Sequence, residues 1–87
     1  MAVFYKIARD LMKGNFSLIL HAEERMDERS IFEGDLMNVG RTYFEKYYHE
    51  KRNSYNFVGY ALDERVITVA CQYYGETLII TMFEEEE

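Results

Sequence analysis

Eighty-seven residues supply one domain and leave no room for a second core. Hydrophobic residues at 48% and charged residues at 30% give the balance of a soluble globular chain, and no apolar run reaches the ~20 residues of a membrane span. The net charge of −6 owes four charges to Glu84–Glu87; without them ten basic residues face twelve acidic ones, which excludes a strongly basic nucleic-acid binder.

The first segment is helical. Phe4, Ile7, Ala8 and Leu11 recur at i, i+3, i+4 and i+7, Lys13 stands in the last turn, and Gly14 stops the helix. Phe16–Leu20 is an apolar run too short for a helix and is assigned to a strand. His21–Arg29 is rich in helix formers, with Ala22 and Met26 directed at the core. Ser30 and Glu33 have the spacing of a capping box, so a further helix is expected to start at Ser30. Phe32, Leu36 and Val39 form its buried stripe, and Gly40 ends it.

From Thr42 the period changes from about 3.6 to 2. Thr42–Glu50 is rich in Tyr, Phe and Thr and reads as a strand, followed by a turn at Lys51–Ser54. Further strands are expected over Tyr55–Leu62, Arg65–Tyr73 and Thr77–Phe83, linked tightly at Asp63–Glu64 and Tyr74–Glu76. Arg65–Tyr73 is apolar on both faces and is placed centrally. Short links between strands of similar length give an antiparallel meander. The fold class is α+β, N-terminal helices packed on an antiparallel sheet, as one domain over residues 1–83 with a solvated acidic tail at 84–87.

Most site signatures are missing. There is no Gly-rich phosphate loop, nucleophile elbow or paired-cysteine spacing, and His21, His49 and Cys71 are too scattered for a metal site. No cofactor or metal is expected. One cysteine cannot form an internal disulfide, and the N-terminus lacks a secretory pattern, so a cytoplasmic location is expected.

The informative stretch is His21-Ala22-Glu23-Glu24-Arg25-Met26-Asp27-Glu28-Arg29-Ser30-Ile31, followed by Asp35 and Gly40. It resembles the small bacterial and phage family known as domain of unknown function 4258, which carries His-Ala, then Arg-Met or Arg-Leu, then Arg-Gly-Ile. Ser30 stands where that family usually has Gly, which makes a positive φ there less expected. The family is grouped with the RelE/ParE-like toxin superfamily, small α+β proteins with helices on an antiparallel sheet. The resemblance implies a toxin-type partner of a toxin–antitoxin pair, or a degenerate relative. Its chemistry would be metal-independent endoribonuclease cleavage, and its partners an antitoxin protein and RNA or the ribosome.

At 100° per residue His21, Arg25 and Glu28 fall within about 60° of one another, and Arg29 lies on the far edge of the Ala22/Met26 stripe. Two readings are open. In one, His21 is a base beside cationic Arg25 and Arg29, the groups a metal-free cleavage of RNA uses. In the other, His21 caps the corner, and the arginines pair with Glu28, Asp35 or main-chain carbonyls. A second candidate surface interleaves aromatics and cations: Tyr43, Tyr47 and His49 on one strand face, Lys46 and Tyr48 on the other, with Lys51 and Arg52 at the turn. These residues could contact RNA or a partner, or form half-buried sheet surface. The competing function is a non-enzymatic protein–protein interaction module, its Tyr- and Phe-rich surface open to a partner or to a second copy in a homodimer.

Overall fold

The computed structural model describes residues 3–85. Helix α1 (Val3–Lys13) buries Ile7, Ala8 and Leu11 and stops at Gly14, whose φ of 73° suits a residue without a side chain. Strand β1 (Phe16–Leu18) is shorter than the apolar run, because the chain turns at Ile19 into helix α2 (Leu20–Arg29). Helix α3 (Glu33–Thr42) follows. Strands β2 (Glu45–His49), β3 (Ser54–Tyr60), β4 (Val66–Tyr73) and β5 (Thr77–Glu84) complete the chain, with a 3₁₀ turn at Glu50–Arg52 between β2 and β3.

The five strands form one sheet in the order β1-β5-β4-β3-β2, so β4 is central as its two apolar faces require. β2 to β5 are the expected antiparallel meander. β1 departs from it: Phe16–Leu18 pair in parallel with Thr77–Ile79, which makes the sheet mixed. One irregularity matters below. Cys71 pairs with Ile79 and Ala70 with Thr81, so Ile80 is a bulged residue without a β4 partner.

All three helices pack on one face. Ile7 and Leu11 from α1, Ala22 from α2, and Leu36 and Val39 from α3 join Phe57, Val69, Cys71, Ile79 and Met82 in a single buried cluster. Aromatic rings extend it, with Phe4 edge-on to Tyr55 at 5.1 Å and Tyr43 edge-on to Phe57 at 5.2 Å. Burial pushes the Cys71 thiol up from its usual range and leaves it a small apolar core residue.

The helix corner differs from expectation. Ser30 does not open α3. It ends α2 in the left-handed conformation, φ 53° and ψ 47°, despite being the residue expected to disfavour it. The start of α3 lies two residues later, where the carboxylate of buried Asp35 accepts the N–H of Phe32 at 2.8 Å. The other Asp35 oxygen accepts the N–H of Leu62 at 2.8 Å, tying α3 to the β3–β4 turn. Phe32 is 68% exposed rather than part of the buried stripe, because the later start turns it outward. Gly40 does not end α3, which runs on to Thr42. Its Cα lies where a Cβ would sit 2.7 Å from the Met12 nitrogen, so it permits close crossing of α1 and α3. Tyr43 belongs to no strand and packs on the helix side. Glu84 is the last residue of β5, and Glu85 still donates its N–H to Val66 at 2.8 Å; Glu86 and Glu87 lie outside the described residues.

Candidate functional site

Pairing register sends alternate residues of β2–β5 to the face that no helix covers. Tyr47 stands opposite Asn56, Asn56 opposite Ala70, and Ala70 opposite Thr81; His49 stands opposite Ser54. The bulge at Ile80 turns Ile80, Thr81 and Phe83 to that face while Met82 remains in the core. The 3₁₀ turn delivers Arg52 to one end, and Asn53, at φ 51°, makes the tight return into β3. Together these residues line a groove of about 300 Å³.

Its floor is polar and fixed. Ser54 and Asn56 are buried, and the Asn56 amide donates to the Ser54 carbonyl at 3.1 Å and to Ser54 Oγ at 3.2 Å. Two aromatic walls, Tyr47 and Phe83, are each more than a third exposed. His49 and Arg52 give one end a titratable base and a permanent cation. Outside the groove's lining, Thr68, opposite Phe83 in the register, donates its hydroxyl to the carboxylate of Glu85. Desolvation first, then the charges of Glu85 and Glu45, raise the Tyr47 phenol above its ordinary value and keep it a protonated donor.

The structure therefore brings Tyr47, His49 and Arg52 into one site. Lys51 is exposed on the 3₁₀ turn and does not line the groove, and Lys46 and Tyr48 point to the helix side, where Lys46 Nζ lies 5.8 Å from the Phe4 ring. His21, Arg25 and Arg29 are elsewhere, on a helix packed against the other face. His21 is the second residue of α2 and exposed. Arg25 pairs with Glu28, one turn along. Arg29 donates to the Met82 carbonyl.

Sequence reasoning missed the six other lining residues, Ser54, Asn56, Ala70, Ile80, Thr81 and Phe83. Asn56 and Ser54 were detectable as polar alternates within an apolar strand. The facing of Thr81 and Phe83 depends on the β5 bulge and leaves no local signal. Arg65 is the missed structural cation: it donates to the carbonyls of Arg29 at 2.9 Å and Ser30 at 2.8 Å, closing the α2 C-terminus, and it holds Asp63 below the usual carboxylate range. Among the described residues no cluster of three His, Cys, Asp or Glu could hold a metal ion, and no helix is long and apolar enough to cross a membrane.

The geometry defines an α+β domain with helices on one sheet face and a polar–aromatic groove on the other. The family model described as Domain of unknown function (DUF4258) matches residues 19–84, and the chain belongs to that family. The match leaves α1 and β1 outside it, although Ile7 and Leu11 are fully buried. Comparison with the curated proteins and with the solved structures returns no match.

Proposed function

We propose that this chain is a RelE/ParE-like, toxin-type domain of a bacterial or phage toxin–antitoxin pair, acting on RNA without a metal, and that the helix-free groove is its RNA-contacting surface. The observation that carries this reading is the meeting of Tyr47, His49 and Arg52 in one groove. Arg52 would hold a phosphate by its fork of donors. His49 takes the 2′-OH proton as the 2′-oxygen–phosphorus bond forms and the phosphorus–5′-oxygen bond breaks. Tyr47 gives a proton to the departing 5′-oxygen. Tyr47 and Phe83 also offer ring faces on which bases stack. The chain has no basic surplus, so affinity must come from the groove and not from a diffuse field.

A salt titration of single-stranded RNA binding, with cleavage measured in parallel, tests the proposal. Binding that weakens with salt and falls in His49→Ala and Arg52→Ala supports it; no binding at low salt overturns it. His21→Ala is the comparator. Loss of cleavage in His21→Ala with His49→Ala intact would transfer the site to α2.

The second reading, a protein interaction module, is favoured by Phe32 and Leu62, 68% and 65% exposed beside one hollow that also carries Asp63 and Arg65. Sedimentation over a concentration series tests self-association through this patch, and a strictly monomeric species counts against a homodimer.

A further inference from the structure

Pairing register lays the groove out in rows. His49 and Ser54 form one cross-strand row, and Tyr47, Asn56, Ala70 and Thr81 form the next, about 7 Å further along by the rise of two residues. The second row has a polar atom at its centre. Asn56 is only 5% exposed, and its amide nitrogen shares its two hydrogens among the carbonyls of Ser54 at 3.1 Å and Tyr47 at 3.5 Å and the Oγ of Ser54 at 3.2 Å. Main-chain carbonyls only accept, so the nitrogen must face them and Oδ1 must point the other way. Among the described residues no donor reaches Oδ1, and no fully buried side-chain oxygen lacks a partner, so Oδ1 opens into the groove that Asn56 lines. Ala70, its neighbour on β4, carries a methyl group too short to cover it.

We infer that Asn56 reads the base of the bound nucleotide: its Oδ1 accepts an exocyclic amino group, which makes the groove selective for cytosine over uracil. This deepens the RNA reading above and rests on it. The phosphate lies on Arg52 at the His49 end, and the base lies one row further on, over Asn56 and against the Tyr47 ring. One row is the separation of phosphate and base within a single nucleotide. Cytosine and uracil share a ring and differ where the 4-amino group of one is replaced by a carbonyl oxygen in the other. The amino group projects from the ring and donates to Oδ1. Uracil sets an oxygen against it, and its own N3–H is recessed between two carbonyls. Asn56 cannot turn its amide to suit uracil without abandoning the carbonyls of Ser54 and Tyr47, which leaves a buried polar group unpaired. A site with a fixed acceptor rejects a ligand lacking the donor more strongly than an apolar pocket rejects a missing methyl group.

The test is a titration of the whole chain with cytidine and uridine 3′-monophosphates, followed by NMR, in the parent, Asn56→Ala and Arg52→Ala. Cytidine monophosphate should bind the parent at least about tenfold tighter, the scale of one hydrogen bond won or lost. It should also move the Asn56 carboxamide signals further than uridine monophosphate does. Asn56→Ala should abolish the preference by weakening cytidine monophosphate alone, and Arg52→Ala should weaken both. If Asn56→Ala does not fold, the carboxamide signals of the parent decide. Equal binding of the two nucleotides, a preference that survives in Asn56→Ala, or carboxamide signals unmoved by cytidine monophosphate overturns the assignment and leaves the RNA reading standing. Neither nucleotide binding, with RNA still bound, also overturns it. Failure of both the nucleotides and single-stranded RNA at low salt removes the RNA reading itself.

Discussion

Arg29 donates its guanidinium to the main-chain carbonyl of Met82, 2.7 Å away and 53 positions along the chain. β1 pairs with β5 only as far as Ile79, so beyond it this edge of β5 has no strand to accept or donate to. A single side chain satisfies the exposed carbonyl and fastens the end of α2 to the sheet. Arg29→Ala should lower stability by about 1 kcal/mol, the usual net worth of one such bond. A shift of the urea midpoint at constant slope would show it. An unmoved midpoint would mean that water replaces the guanidinium without loss.

Gly40→Ala reverses the usual sign of a helix substitution. Within an exposed helix, alanine in place of glycine gains about 1 kcal/mol. Here the added methyl would lie 2.7 Å from the Met12 nitrogen and 3.0 Å from the Ala8 carbonyl oxygen, both main-chain atoms. α1 and α3 must separate to admit it. The expected outcome is destabilisation by about 1–3 kcal/mol, seen as a melting temperature lower by several degrees for a domain of this size.

Ser30→Gly should stabilise. Ser30 is held at φ 53° by the Arg65 bond to its carbonyl and by the return of the Ile31 N–H to Met26 at 3.0 Å. A side chain in this conformation costs about 1 kcal/mol that glycine does not incur. Thermal unfolding of the variant should therefore occur at higher temperature. A lower midpoint would show that the greater freedom of glycine in the unfolded chain outweighs the relieved strain.

The Tyr47 phenol gives a pH signature. Its value in the fold is raised above the ordinary 10.0, so the folded state favours the protonated form. That contribution is fully present below about pH 10 and is lost as pH rises through the folded value. Tyr47→Phe cannot ionise, and its stability should fall less steeply than that of the parent above about pH 10. Parallel slopes in denaturation series across this range would show that Tyr47 ionises freely in the fold.

Much of the architecture was legible because it follows periods. The Phe4/Ile7/Ala8/Leu11 stripe, the centrality of β4 and the meander of β2 to β5 all appear as predicted. The helix corner was misread because two overlapping frames compete. Ser30–Glu33 matches a capping pattern, but the acceptor actually used is Asp35, three residues after Phe32. Local pattern could not show that Arg65 holds the Ser30 carbonyl from 35 positions away. The parallel pairing of β1 is likewise a long-range event, written in no feature of Phe16–Leu18. Half of the groove was visible as aromatics interleaved with cations at Tyr47, His49 and Arg52. Its opposite wall was hidden, because Thr77–Phe83 is too uniformly apolar for alternation to reveal which residues face which way.

The bulge at Ile80 acts on β5 as a frame-setting insertion. Ahead of it, Thr77 and Ile79 face the helices; after it, Met82 does so, and Thr81 and Phe83 face away. Pairing Ile80 with Ala70, with the bulge closed and no residue lost, would rotate everything that follows by half a turn, sending Met82 into the groove and Phe83 into the core. Taking Ile80 out would instead leave a straight ladder with both where they are. Side chains along β5 can therefore be exchanged with local consequences, and the strand can lose this one unpaired residue without exchanging its two faces. In lineages descended from such a sequence, loss of the Ile80 codon would be tolerated as a straightening of the strand, whereas a further one-codon change beyond it would exchange the residues of core and groove.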